Sequence, residues 1–350
     1  MMLLNQKIGS IYKMKRAVLL INLGTPNAPT ILSVWKYLRE FLMDPRVIDI
    51  PFLLRYILVN FIIIPSRVSN STKEYKKLWG KFGMSPLVSF AEKLTVKLNT
   101  KFQNEADFYY AMRYQNPSID SALEQIYSKN YEELVILPLY PQYASASSGS
   151  TIEHCNKIIN GWWNIPKIKI INHFYDHESY INCFVDNTRK FDYQSYDHIL
   201  FSYHGLPERH VDKTYTDNSI CQDNTCEEGI NDTNKFCYKA MCYETSNLIA
   251  SNLKIPNDKF SVCFQSRLDD KWIKPYTDKI MLELVESNQK KVLVLSPAFV
   301  SDCLETSIEI SDRNKEEFIK HGGEEFTLVP SLNDNDNWMD AIIDIINFNG

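Results

Sequence analysis

The sequence predicts an α/β protein of two similar lobes, each a parallel sheet flanked by helices, with a cleft between them. Three observations predict it. Strand-like and helix-like segments alternate along the chain, the order expected of a parallel α/β sheet. Short apolar runs bounded by turn residues, such as AVLLINL (17–23) and ILF (199–201), suit strands buried on both faces. The two halves also echo each other. INLGTP (21–26) parallels SYHGLP (202–207), and LVILP (134–138) before STIE (150–153) parallels LVLSP (293–297) before TSIE (306–309). Two pairs in the same order point to a duplication rather than to chance.

In the first lobe, strand 17–23 ends at Gly24-Thr25-Pro26, and a helix over about 31–42 carries Trp35, Leu38 and Leu42 at helical spacing. An apolar stretch, 50–64, comes next. A short polar helix over 73–79 is closed by Gly80 and Gly83. Ser85-Pro86 starts a helix to about 98, since Pro suits the first turn. Strand 108–114, helix 118–129 and strand 134–137 follow. A loop rich in small residues and hydroxyls (138–149), a helix from about 151 and strand 168–171 complete the lobe. The second lobe reads as helix 178–190, strand 196–202 running out at His204, and, after a cysteine-rich loop, helix 243–253. Then come strand 260–264, helix 277–286, strand 291–295, helix 305–320, strand 325–330 and a closing helix, 337–346. The boundaries this implies are a leader over 1–13, lobes over 14–175 and 176–330, and a C-terminal helix within 331–350. The apolar stretch 50–64 forms a lip of the first lobe, and a cysteine loop over 212–242 belongs to the second.

The 350 residues suffice for two domains with a large core. Net charge is −5 and no basic run is present, so nucleic acid is not an expected partner. The N-terminal residues lack the apolar core and cleavage site of a secretory signal, so a cytoplasmic location is expected. The stretch 50–64, interrupted by Arg55 and Asn60, is shorter than the roughly 20 residues of a membrane span. It reads equally as a buried helix or as a hydrophobic lip resting on the inner face of a membrane.

The candidate chemistry sits at strand ends. His204 falls at the carboxyl end of a parallel strand, where open α/β sheets keep their ligand crevice. A core histidine bonded to a loop carbonyl is the bland alternative. A second strand runs into LSPAFVSDCLETS (295–307), which places Asp302 and Glu305 at the same sheet edge. A histidine and a glutamate facing each other form a minimal acid–base pair, and equally a minimal site for a borderline divalent metal. Spacing leaves both open.

Four of the eight cysteines, Cys221, Cys226, Cys237 and Cys242, fall within 22 residues of polar loop, with gaps of four, ten and four. Without a secretory signal, disulfides are not expected. Four thiolates suit zinc or an iron–sulfur cluster.

Further motifs are LLINLGTP (19–26), YLREFLMDPRVIDIP (37–51), GMSPL (83–87), MRYQNPSI (112–119), LPLYPQYASASSGST (137–151), SYHGLPERH (202–210), CFQSRLDDKWIKP (263–275) and LSPAFVSDCLETSIEI (295–310). Together, and in this order, they resemble the ferrochelatase family, enzymes that insert ferrous iron into a porphyrin to make haem. The resemblance covers nearly the whole chain from Met14. It implies the chelatase fold, two Rossmann-like lobes with the porphyrin in the cleft and no nucleotide. The absence of GxGxxG and of a Walker lysine motif agrees.

The resemblance also implies residue roles. His204 matches the family's invariant histidine and Glu305 its catalytic glutamate, the pair that would meet Fe2+ and take protons from the ring. Asp302 precedes the glutamate as expected, and Cys303 stands where many relatives have histidine. Phe299 and Trp272 match aromatic pocket residues. Leu23 replaces a Tyr or Met that contacts porphyrin or metal in relatives. Arg67, Tyr75 and Ser85 match propionate contacts, and Ser145 and Ser147 the opposite mouth loop. Some bacterial members carry an internal four-cysteine insertion that holds a two-iron, two-sulfur cluster, and the cysteine loop resembles it. A 2Fe-2S cluster on Cys221, Cys226, Cys237 and Cys242 is the first expectation, zinc the second and unligated thiols the third, with a structural or sensing role away from the porphyrin. The implied substrates are protoporphyrin IX and Fe2+. The alternatives are a chelatase for coproporphyrin or sirohydrochlorin, and a porphyrin or haem carrier that would not need Glu305.

Overall fold

The structure, a computed structural model, describes residues 15–217, 219–221 and 225–348. The expected leader, 1–13, lies outside the described residues. The first sheet contains β1 (Arg16–Gly24), β2 (Asp107–Tyr114), β3 (Glu133–Pro138) and β4 (Lys167–Ile170), in the order β2-β1-β3-β4. The second contains β5 (His198–His204), β6 (Phe260–Gln265), β7 (Lys291–Leu295) and β8 (Glu325–Leu328), in the order β6-β5-β7-β8. Every pairing is parallel. The two sheets therefore share one topology, as the sequence echo predicts.

The strands alternate their side chains between two apolar layers. On β1, Val18 and Leu20 enter one core while Ala17, Leu19 and Ile21 enter another. On β7, Leu293 and Leu295 join Val18 and Leu20, whereas Val292 and Val294 face a third core. One continuous core is thus shared by both sheets. The closing helix contributes the fully buried Trp338 to it.

Helices α1 (Ile31–Leu42), α3 (Pro86–Lys101), α4 (Ile119–Ser128) and α5 (Ser145–Gly149 as a π turn, then Ser150–Ile159) belong to the first lobe. Between α1 and α3 runs α2, one continuous helix over Phe52–Phe82. This corrects the reading of an apolar stretch followed by a separate short helix at 73–79. Pro65 lies inside this helix without breaking it. Pro65 has no N–H and its ring crowds the preceding turn, but that turn, Leu58–Ile63, is π-helical with i→i+5 bonds. The unbroken helix is long and apolar enough, by length and composition, to cross a membrane. Its far end is instead packed in the lobe through Tyr75 and Leu78.

The apolar half of α2 is inverted. Phe52, Leu53 and Phe61 are about two-thirds exposed, at 65%, 67% and 67%. Arg55 is buried, and its Nη1 donates to the carbonyls of Ile48 and Ile50 at 3.0 and 2.8 Å. The buried-helix alternative for 50–64 is therefore wrong for most of its apolar side chains.

In the second lobe lie α6 (Glu178–Arg189), α7 (Glu208–Asp212), α8 (Tyr238–Leu253), α9 (Thr277–Glu286), α10 (Glu305–Asn314 as a π-helix, then Lys315–Lys320) and α11 (Asp336–Asn347). Helix α8 starts five residues earlier than the expected 243, so Cys242 lies inside it rather than at its start. The lobes are tied polarly as well. Arg209 and Lys213 on and beside α7 pair with Asp49 of the first lobe at 2.6 and 2.5 Å, and His210 approaches the same carboxylate at 3.1 Å.

Candidate active site in the interlobe cleft

The carboxyl ends of β1, β3, β5 and β7 meet at a cleft of about 230 Å³, open to solvent at its mouth. Gly24 ends β1 at φ +113°, where a Cβ would lie 2.0 Å from the Tyr114 carbonyl of the neighbouring strand, so only glycine fits. Beside it, Leu23 lines the cleft.

His204 ends β5 and is half-buried in the cleft wall. Its Nδ1 lies 2.7 Å from the Gly205 carbonyl oxygen, which can only accept. Nδ1 therefore carries the proton in the neutral imidazole, and Nε2 keeps a lone pair. The His204–Gly205 peptide is held at both ends. The Tyr238 hydroxyl donates to the His204 carbonyl at 2.9 Å, and the Gly205 N–H donates to the Gln265 carbonyl at 2.8 Å. Trp272 packs behind the imidazole, ring centroids 6.3 Å apart.

Glu305 opens the π-helical start of α10, ten residues beyond the end of β7. It is the first residue of the helix that the sequence reading placed over 305–320. The same loop brings Phe299, Cys303 and Leu304 to the cleft. Asp302 turns away from it. Its carboxylate accepts from Asn333 Nδ2 at 2.8 Å and from Thr306 Oγ1 at 3.2 Å, which fixes the start of α10. The phenols of Tyr37 and Tyr75, packed edge to face, line the same cleft as Glu305. Burial drives both pKa values well above the ordinary tyrosine range, and the Glu305 charge adds to the effect. Burial and the same charge push up the Cys303 thiol. Around the carboxylate, these groups all stay protonated.

Four of the residues lining the cleft carry a buried polar atom without a hydrogen-bond partner: Ser85 Oγ, Tyr140 Oη, Gln142 Oε1 and Ser301 Oγ. The Gln142 amide is oriented by Thr245, because Nε2 donates to Thr245 Oγ1 at 2.9 Å. Unsatisfied buried atoms of this kind fit a ligand's polar groups.

Of the predicted site residues, Leu23, Tyr75, Ser85, His204, Phe299, Cys303, Glu305 and Ser147 line one cleft. Arg67 is exposed and is not among the lining residues, and Ser145 is engaged by Arg46 Nη1 at 2.8 Å. Trp272 and Asp302 support the site from behind. Tyr37, Gln142 and Tyr238 were missed. Gln142 could have been found by the strand-end rule, since it follows β3 by four residues.

A second cluster lies in the cysteine loop. The Sγ atoms of Cys221, Cys226 and Cys237 are buried and all within 4.8 Å of one another, with Cys226 and Cys237 at 3.9 Å. Hydrogen bonds from Cys221 and Cys226 pull the Cys237 thiol well down, while Cys221 is pushed up by the same contacts. The thiol of Cys242 is outside this group. It is buried within α8, near the Tyr238 hydroxyl. The structure thus brings together three of the four predicted cysteines.

The sequence model of the ferrochelatase family matches residues 15–349. The chain belongs to the ferrochelatase family. A ferrochelatase of Legionella pneumophila (strain Philadelphia 1) is 44% identical over 335 residues, covering 95% of this chain and 99% of the relative. A ferrochelatase of Coxiella burnetii (strain Dugway 5J108-111) is 40% identical over 344 residues, covering 97% and 92%. Insertion of iron into a porphyrin during haem synthesis is accordingly this chain's reaction. Among solved structures, SirB from Bacillus subtilis with Fe3+ matches with a TM-score of 0.54 at 11% identity, covering 95% of this chain and 96% of that one. That likeness shows the shared chelatase fold and nothing finer.

Proposed function

We propose that the cleft takes protoporphyrin IX and ferrous iron and forms protohaem, with His204 and Glu305 as proton acceptors. The observation that carries this reading is the composition of the cleft. His204 Nε2 and the Glu305 carboxylate share it with apolar walls of Leu23, Phe41, Leu87, Leu139 and Phe299. No Lys or Arg lines it among the described residues. Protoporphyrin IX carries two propionates on one edge, which can stay at the mouth. Coproporphyrin carries four carboxylates and sirohydrochlorin eight, spread around the ring. Several would be buried in this cleft without a cation, at several kcal/mol each.

The reaction releases two pyrrole protons as iron enters. The neutral His204 imidazole, fixed as the Nδ1–H tautomer by Gly205, accepts one at Nε2. Glu305 is ionisable and opens an acidic helix that continues through Glu309 to Asp312, so a proton can pass from it towards solvent. Ser85 Oγ and Gln142 Oε1 bind polar edges of the ring or of its water. The experiment that tests this reading follows metal insertion into a panel of tetrapyrroles.

The cysteine triad supports a bound metal. Ligands 2.3 Å from one tetrahedral ion lie about 3.8 Å apart, close to the 3.9 Å between Cys226 and Cys237. Cys221, Cys226 and Cys237 fit three positions of such an ion, zinc by the chemistry of the donors. A two-iron, two-sulfur cluster is the other occupant, and Cys242, outside the triad, is the remaining cysteine it would draw on. The exposed apolar face of α2 supports peripheral attachment at the inner surface of the cytoplasmic membrane, where it would offer a lipophilic substrate a short path to the cleft.

A further inference from the structure

We infer that Tyr238 is a positioning residue for His204, and that through it the occupancy of the cysteine site sets the geometry of the cleft. The sequence reading placed the cysteine loop away from the porphyrin. The structure places it one residue from the cleft wall. Cys237, a member of the triad, is the N-cap of α8, and Tyr238 is the first residue of that helix. Tyr238 lines the cleft, and its hydroxyl donates to the carbonyl of His204 at 2.9 Å.

That bond acts on the reacting nitrogen through a short chain. Its acceptor is the carbonyl of the peptide whose N–H, that of Gly205, is anchored to Gln265. The next carbonyl, that of Gly205, holds His204 Nδ1 and so fixes where Nε2 points. A change at the start of α8 reaches the imidazole across three hydrogen bonds, each 2.7–2.9 Å long. The same helix reaches the opposite wall, where Thr245 accepts from Gln142. The other end of the triad is tied to the segment that follows His204, because the Cys221 N–H donates to Asp212 Oδ1 on α7 at 2.8 Å. Both helices that brace the His204 strand end are therefore fastened to the three thiols.

An ion shared by Cys221, Cys226 and Cys237 would pin the Cys237 cap and hence Tyr238. Its loss leaves the first turn of α8 free to shift, since helix ends held only by local contacts fray. The inference rests on the reading of the triad as a metal site.

The test uses the full-length protein with its bound metal, before and after treatment with a chelator, as wild type and as Tyr238→Phe. Metal content is measured on each, together with amide hydrogen exchange of the 202–207 segment, kcat and porphyrin Kd. Tyr238→Phe keeps the ring that lines the cleft and removes the donor. It is expected to keep its metal, to bind porphyrin with unchanged Kd, to exchange faster over 202–207 and to lose roughly three- to tenfold in kcat, the worth of one neutral hydrogen bond. Stripping the metal from wild type should reproduce the faster exchange and the loss in kcat, while stripping Tyr238→Phe should add little. Cys226→Ser, which leaves the helix cap intact, should behave as stripped wild type. Equal responses to stripping in wild type and Tyr238→Phe, or no response in either, would overturn the coupling with the metal site intact. A protein that contains no metal and takes up neither zinc nor ferrous iron would overturn it by removing the site itself, and Cys226→Ser would then match wild type.

Discussion

His204 and Gly205 form a unit in which the side chain of one is steered by the carbonyl of the other, at 2.7 Å. Gly205 is confined as tightly as the histidine. A Cβ there would sit 2.8 Å from the Gln265 carbonyl oxygen and 3.1 Å from Trp272 Cε3. Gly205→Ala should cost about 1–3 kcal/mol, the usual range for overpacking, and should lower kcat because the backbone that aims Nε2 has to move. Thermal unfolding and steady-state kinetics on the same preparation check it. An alanine variant with the wild-type Tm and kcat would show that the contact is easily relieved.

Glu305 should matter by its charge more than by its bulk. Glu305→Gln is expected to lower turnover by about 10²–10⁴, the usual worth of an acid–base group, with little change in porphyrin affinity. Kinetics and fluorescence quenching separate the two. A variant that weakens porphyrin binding alone would speak for a carrier.

Asp49 predicts a pH dependence. Burial disfavours its charged form, but hydrogen bonds from Arg209 and Lys213, with His210 close by, outweigh that and hold its pKa below the ordinary aspartate range. A carboxylate depressed in the folded state contributes stability above its unfolded pKa of about 3.9, and that contribution is lost as pH falls through the folded value. Asp49→Asn should therefore destabilise the protein near pH 7, and the difference from wild type should shrink as pH falls below about 4. Chemical denaturation across pH measures it. A difference that stays constant with pH would contradict the role of the charge.

The apolar face of α2 should bind bilayers. Replacing the exposed Leu53, Leu54 and Ile57 with Ser should reduce recovery with liposomes in flotation and leave Tm nearly unchanged, because these side chains bury little area in the fold. Equal flotation before and after the change would sink the idea.

The strand ends were the legible part of this chain. Strand β1 and strand β5 are short apolar runs stopped by glycine, and that local pattern is enough to place Leu23 and His204 at a sheet edge. What could not be read depends on packing between distant segments. Helix α2 was read as two pieces because the chain turns from apolar to polar after residue 64. A π turn absorbs the proline, and nothing local announces one. Arg55 seemed to interrupt an apolar surface, yet it is turned inward to carbonyls of the preceding loop. Cys242 lies inside α8 and not at its start, because that helix begins five residues earlier than the pattern implied. Asp302 and Trp272 sit in motifs beside lining residues, and only the chain's path through the loops shows that they hold the site from behind.

The most direct measurement mixes the purified protein anaerobically with ferrous iron and, separately, protoporphyrin IX, coproporphyrin and sirohydrochlorin, and follows the metallated product by absorbance for wild type and His204→Ala. The account predicts fast insertion into protoporphyrin IX, slow or no insertion into the rings with more carboxylates, and near-complete loss in His204→Ala although porphyrin still binds. Wild-type turnover in His204→Ala, or a preference for sirohydrochlorin, would contradict it.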